Sequence, residues 1–86
     1  MSEKINEQAS VITVYDHLKG TTQPWRIKWR ERVYQVSEIG YHHTRESGTT
    51  LYHIFSLSAG SLFFRLSLNT QTLVWRIEEV ADRESN

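Results

Sequence analysis

Residues 24–36, PWRIKWRERVYQV, place Trp25, Ile27 and Trp29 on alternate positions, with Arg26, Lys28 and Arg30 filling the gaps. A period of two is that of a half-buried β-strand, apolar on one face and wet on the other. Taking Arg30 and Glu31 as a two-residue turn sets Trp29 opposite Arg32, Ile27 opposite Tyr34 and Trp25 opposite Val36. The stretch therefore predicts a hairpin whose apolar residues share one side.

Two further hairpins obey the same sidedness. A turn at Thr70 and Gln71 places Leu68 opposite Leu73, Leu66 opposite Trp75 and Phe64 opposite Ile77. A turn at Ala59 and Gly60 places Leu57 opposite Leu62, Phe55 opposite Phe64 and His53 opposite Leu66. The link SEIGYHHTRESGTT (37–50) breaks the pattern, because alternation carried on from Tyr34 and Val36 would send Glu38 inward and Ile39 outward. A bulge at Gly40 resets the faces, and Arg45 to Gly48 form the next turn. With a first strand near Val11 to His17, the chain predicts an all-β fold of about six antiparallel strands, in a strongly curved meander or small half-open barrel. Lacking a clear helix to cover its core, the sheet must curl onto itself.

The chain has 86 residues, enough for one domain with a small core, in which roughly 60–65% of the unfolded surface is buried. Residues 10–81 form that domain. Residues 1–9 and the acidic tail 82–86 have little to bury and are expected to fray. The absence of cysteine excludes disulfides and thiolate metal sites. No basic leader precedes an apolar run, and no apolar segment nears the roughly 18–20 residues that cross a bilayer, so a cytoplasmic location is expected.

Ten acidic residues balance ten Lys and Arg, which leaves no overall field to steer the molecule toward nucleic acid or membrane. The charges are unevenly spread: residues 19–32 carry Lys19, Arg26, Lys28, Arg30 and Arg32 against Glu31 alone. Such a row is either the solvated side of a strand or a stripe that contacts phosphates.

The hairpin registers also bring Arg65 opposite Arg76 on the outer face, with Glu78 diagonal to Arg65 and able to share the charge. Like charges face to face are unfavourable, so either Glu78 or an external anion offsets them. Tyr52, Ile54, Phe63 and Val74 surround the pair, a mixture of aromatic, aliphatic and arginine side chains typical of interface hot spots and of base-stacking platforms.

The four histidines do not make a metal site. His42 and His43 are adjacent and point to opposite faces of a strand, His17 lies on another strand, and His53 faces the core. Asp16 and Glu46 are the nearest candidate carboxylates. Neither a phosphate-binding glycine loop nor a nucleophile elbow or paired acid and base is present, so no enzymatic activity, metal or cofactor is expected.

The segments KGTTQP (19–24), WRIKWRERVYQV (25–36) and FRLSLNTQTLVWRIEEVAD (64–82) together resemble a family of small bacterial all-β domains of unknown function. That family's pattern runs Phe–x–Trp–Arg–Gly–Arg–x–Tyr–x–Val, then a strand, an Asp- or Asn-led turn and Trp–x–Leu. Trp29, Arg30, Arg32, Tyr34 and Val36 match its first part, and Asn69, Trp75 and Ile77 its second, over about residues 10–82. Glu31 stands where the family turn has glycine, which leaves the turn type open. The resemblance implies a β domain associated in some bacteria with genes for translesion (Y-family) DNA polymerases, and it supplies no catalytic residue.

These readings converge on a non-enzymatic interaction module. It is expected to bind a protein partner, or a second copy of itself as a homodimer, through Tyr52, Ile54, Phe63, Arg65, Val74 and Arg76. The alternative is weak nucleic-acid binding, linked to DNA repair or replication, through Arg26, Lys28, Arg30, Arg65 and Arg76, with Tyr52 or Phe63 stacking on bases. A second alternative is a small-ligand site inside the barrel, among Trp25, Trp29, Phe55, Phe64 and Trp75.

Overall fold

The computed structural model describes residues 2–83. Six strands follow one another: β1 (Ser2–Asp16), β2 (Thr21–Trp29), β3 (Arg32–Ser47), β4 (Thr50–Ala59), β5 (Leu62–Asn69) and β6 (Trp75–Asp82). Each pairs antiparallel with its sequence neighbour, and β6 returns to β1, so the sheet is a closed ring. The ring is uneven because its two longest strands each change partner partway along. Residues 2–9 of β1 pair with β6 and residues 10–16 with β2; residues 32–35 of β3 pair with β2, and residues 36–47 with β4. A five-stranded part and a three-stranded part therefore face each other across the core.

The core is the inner row the alternation predicts. Ile27, Trp29, Phe55, Leu57, Phe64, Leu66, Trp75, Ile77 and Val80 are buried in one cluster. Trp29 meets Phe64 edge-on at 6.2 Å, Tyr34 lies 5.1 Å from Phe64, and Phe55 lies 5.7 Å from Trp75, all within the range where aromatic pairs attract. The rings expected to line a ligand cavity thus pack on one another. Trp25 is not among them: a bulge sets Thr13 against Pro24 directly after Ile12 against Arg26, so Trp25 is left unpaired and 45% exposed while Pro24 is buried.

The hairpin at Arg30 and Glu31 keeps its expected register next to the turn, with Trp29 opposite Arg32 and Ile27 opposite Tyr34. The expected third pair, Trp25 with Val36, does not form, because β3 has by then passed to β4 and Val36 faces Ala59. Both turn residues are left-handed, at φ 52° and 64°, the geometry of a type I′ turn despite the absence of glycine. A bulge at Gly40 is present too, but it follows Ile39 and resets the faces from Tyr41 onward. A second register shift, at Ser37 between Val36 and Glu38, is what turns Ile39 toward the core while Glu38 stays exposed. The turn that follows is Gly48–Thr49 rather than Arg45–Gly48, so Arg45 belongs to β3 and faces Tyr52.

Four further expectations are corrected. The β4–β5 turn is at Gly60 and Ser61, with Gly60 at φ 62°, so Leu57 faces Phe64 and Phe55 faces Leu66. Asn69 closes a longer loop than two residues: its Oδ1 accepts the amides of Gln71 and Thr72 at 2.8 and 3.1 Å, and its own N–H donates to Val74 O at 3.0 Å. Leu68 consequently faces Trp75, and Leu73 is 70% exposed. A bulge after Arg65 then sets Arg65 against Glu79 and leaves Arg76 against Ser67, so the two arginines are not opposed. Finally, residues 2–9 are part of a strand, where Ile5 and Ala9 pack against the core and backbone pairing to β6 replaces the missing apolar content. At the other end Asp82 closes β6 and the Arg83 amide donates to Ser61 O; the rest of the tail lies outside the described residues.

Candidate functional site

The outer face of the five-stranded part is where the sequence places its mixed aromatic and arginine surface. It is concave. Arg45 on β3 and Glu78 on β6 pair through Nη2 and Oε2 at 2.6 Å, above β4 and β5. The guanidinium lies 5.6 Å from the Tyr52 ring, and its hydrogen bond to Glu78 raises the Arg45 pKa above the ordinary value. Ile54 and Ser67, central on this face, are only 1% and 3% exposed. Ile54 was expected to project outward; it does point away from the main core, but the curvature covers it.

Two depressions flank that floor. One, of about 460 Å³, is lined by Tyr41, Ser56, Ser58, Phe63, Arg65 and Glu79 among others. Phe63 is 47% exposed at its rim, and Arg65 donates to Glu79 at 2.9 Å beside it. Ser58 is buried and satisfied by Ser37, whose Oγ donates to its carbonyl at 3.0 Å. The other depression, of about 570 Å³, is polar and is lined by Arg45, Tyr52, Asn69, Val74, Arg76 and Glu78. Arg76 donates to the carbonyl of Asn6 at 3.1 Å and makes no ion pair among the described residues.

All six expected partner-binding residues therefore share this face: Phe63 and Arg65 in the first depression, Tyr52, Val74 and Arg76 in the second, Ile54 beneath. Sequence reasoning missed Tyr41, Arg45 and Glu79. It assigned Arg45 to a turn, and it gave Arg65 the wrong carboxylate, since Glu79 and not Glu78 pairs with it.

The basic set proposed for nucleic acid does not form one surface. Arg26 and Lys28 lie on β2, which sits across the ring from β5. Arg26 donates to Gln35 at 3.1 Å and covers the Trp25 ring at 4.7 Å. Arg30 has a structural task. Glu7 accepts its Nη2–H at 2.8 Å and its Nε–H at 3.3 Å, and also takes the indole N–H of Trp29 at 2.9 Å, while the guanidinium covers the Trp29 ring at 4.4 Å. These bonds, the Arg30 one foremost and then that from Trp29, hold the Glu7 carboxyl below its usual pKa. The register shift in β1 around Asn6, at φ 53°, places Glu7 there.

His42 and His53 meet on the inner side at one end of the ring. His42 Nε2 lies 2.8 Å from His53 Nδ1, and the His42 ring stacks on Phe55 at 4.3 Å. Burial first, and then the neighbouring His53 and His43, lower the His42 pKa. His43 faces the other way and stacks on Tyr41 at 4.9 Å. Among the described residues no three or more His, Asp or Glu side chains come together as metal ligands, and no helix is long and apolar enough to cross a membrane.

The class these features define is a six-stranded antiparallel ring with a concave outer face. No family model, no curated protein and no solved structure matches the chain.

Proposed function

We propose that this chain is a non-enzymatic, cytoplasmic interaction module that receives an extended segment of another protein on the concave face. The observation that carries the reading is the pairing of an apolar depression rimmed by Phe63 with a polar one containing Arg76, on either side of the buried Ile54. Arg76 lies opposite Ser67, and from Phe63 to Ser67 is four residue steps along β5, roughly 13 Å at the rise of a strand. A segment carrying an apolar or aromatic side chain at one end and a carboxylate at the other matches that span, the first group beside Phe63 and the second at Arg76. Aromatic and arginine side chains at the centre of such a surface supply most of the affinity.

Two rival readings draw less support. For nucleic acid, Arg30 and Arg65 are already bonded to carboxylates, and the remaining cations are divided between opposite sides of the ring. For a ligand inside the ring, the aromatic side chains fill the space. Selection of peptides from a random display library tests the proposal. We expect enriched peptides to share an aromatic residue and an acidic one, and to lose binding to a chain carrying Phe63→Ser and Arg65→Glu. Peptides that bind this variant as well as the wild type would overturn it.

A further inference from the structure

Beyond Ala9, β1 loses the neighbour that closes the ring. Ala9 pairs with Trp75, the first residue of β6, and the residues before Trp75 turn away into the Asn69 loop. Residues Ser10–Asp16, SVITVYD, consequently pair with β2 on one side and present a free edge on the other. An unpaired edge is a template for another strand, and proteins ordinarily blunt it with lysine, proline or a kink. The comparable free stretch of β2 contains Pro24. The β1 edge has no such protection: from Ser10 to Tyr15 there is no charge, proline or glycine, and five successive residues are strong strand formers. Ile12, Val14 and Tyr15 on it are 52%, 46% and 64% exposed. The bulge in this hairpin lies in β2, at Trp25, so β1 itself runs unbroken from Ser10 to Asp16.

We infer that this edge pairs with the same edge of a second copy, antiparallel about a two-fold axis through Thr13. An axis normal to the sheet preserves its faces, so only residues of the same face can meet, and the centre must fall on a residue. Centring on Thr13 uses all seven free residues. Ser10 of each copy then lies opposite Asp16 of the other, Val11 opposite Tyr15, and Ile12 opposite Val14. Aromatic against β-branched and aliphatic against aliphatic are the favourable cross-strand pairs, and no like charges meet. Centring one residue either way leaves part of the edge unpaired.

This interface is separate from the concave face and does not depend on what that face binds. The test is sedimentation velocity of the full chain from micromolar to millimolar concentration. The wild type is expected to move from one chain of 10.1 kDa to twice that mass as concentration rises. Thr13 is exposed, so Thr13→Lys and Thr13→Glu should keep the wild-type circular dichroism and thermal transition; each alone opposes like charges at the axis and should stay monomeric. An equimolar mixture of the two should regain a dimer containing one of each. A wild type monomeric throughout, a lysine variant that dimerises as readily as the wild type, or a mixture that fails to associate would each overturn the inference.

Discussion

Arg45 and Glu78 meet at 2.6 Å although β4 and β5 run between their strands. On a flat sheet three strand spacings of about 4.8 Å would hold their backbones about 14 Å apart, with the side chains standing parallel. Their contact therefore reports the inward curl of the outer face that buries Ile54. Because the Arg45 side chain is 47% exposed, the pair itself stabilises by only about 0.5–1 kcal/mol. A double-mutant cycle of Arg45→Ala and Glu78→Ala, followed by urea unfolding, should give a coupling of that size that shrinks in high salt. A coupling of zero at low salt would mean that the face is held open.

Ile54 and Phe63 sit on the same face with opposite consequences. Ile54 is 1% exposed, and Ile54→Ala should cost about 2–4 kcal/mol. Phe63 is 47% exposed, and Phe63→Ala should change stability by no more than about 0.5–1 kcal/mol while weakening partner binding. Chemical denaturation of the two variants side by side checks the contrast.

Glu31 occupies a left-handed position at φ 64°, which costs a residue with a Cβ about 1–2 kcal/mol relative to glycine. Part of that gain is offset by the greater freedom of glycine in the unfolded chain. Glu31→Gly should accordingly raise stability by about 0.5–1 kcal/mol without altering the strand register. Thermal unfolding measures it, and a destabilised variant would show that the carboxylate has a partner the turn needs.

Two titrations bound the pH range of stability. The folded Glu7 pKa lies below its ordinary value of 4.5, so its contribution is present above that value and is lost as pH falls through the folded pKa. The folded His42 pKa also lies below its ordinary 6.5. For a histidine this means that the unfolded chain binds the extra proton, so stability is complete above 6.5 and declines as pH falls toward the folded pKa. Melting curves from neutral pH downward should show two losses, the first removed by His42→Phe and the second by Glu7→Gln. A single acid transition unaffected by His42→Phe would contradict the histidine assignment.

How far the sequence discloses this molecule depends on which quantity is asked for. Sidedness is robust, because Phe55, Leu57, Phe64 and Leu66 remain inward whether a turn moves by one residue or a loop lengthens by two. Register is not robust, for the same reason: the loop that Asn69 closes displaces β6 by an even number of residues, and hydrophobic pattern is blind to that. The bulge after Arg65 then hands its charge to Glu79, a local event that only the backbone reveals. The concavity and the bond from Glu7 to Trp29 are likewise invisible in one dimension, since each joins residues more than twenty positions apart. The residues of the candidate face were legible as a group, but their division into two depressions was not.

The account rests on the concave face being where a partner is received. Amide chemical-shift mapping of the labelled chain, titrated with a peptide enriched in the display selection, measures this most directly. The account predicts shifts concentrated on Tyr41, Tyr52, Phe63, Arg65 and Arg76, with β2 from Arg26 to Trp29 unmoved. Shifts confined to Trp25, Arg26 and Lys28, with the five-stranded face silent, would contradict it.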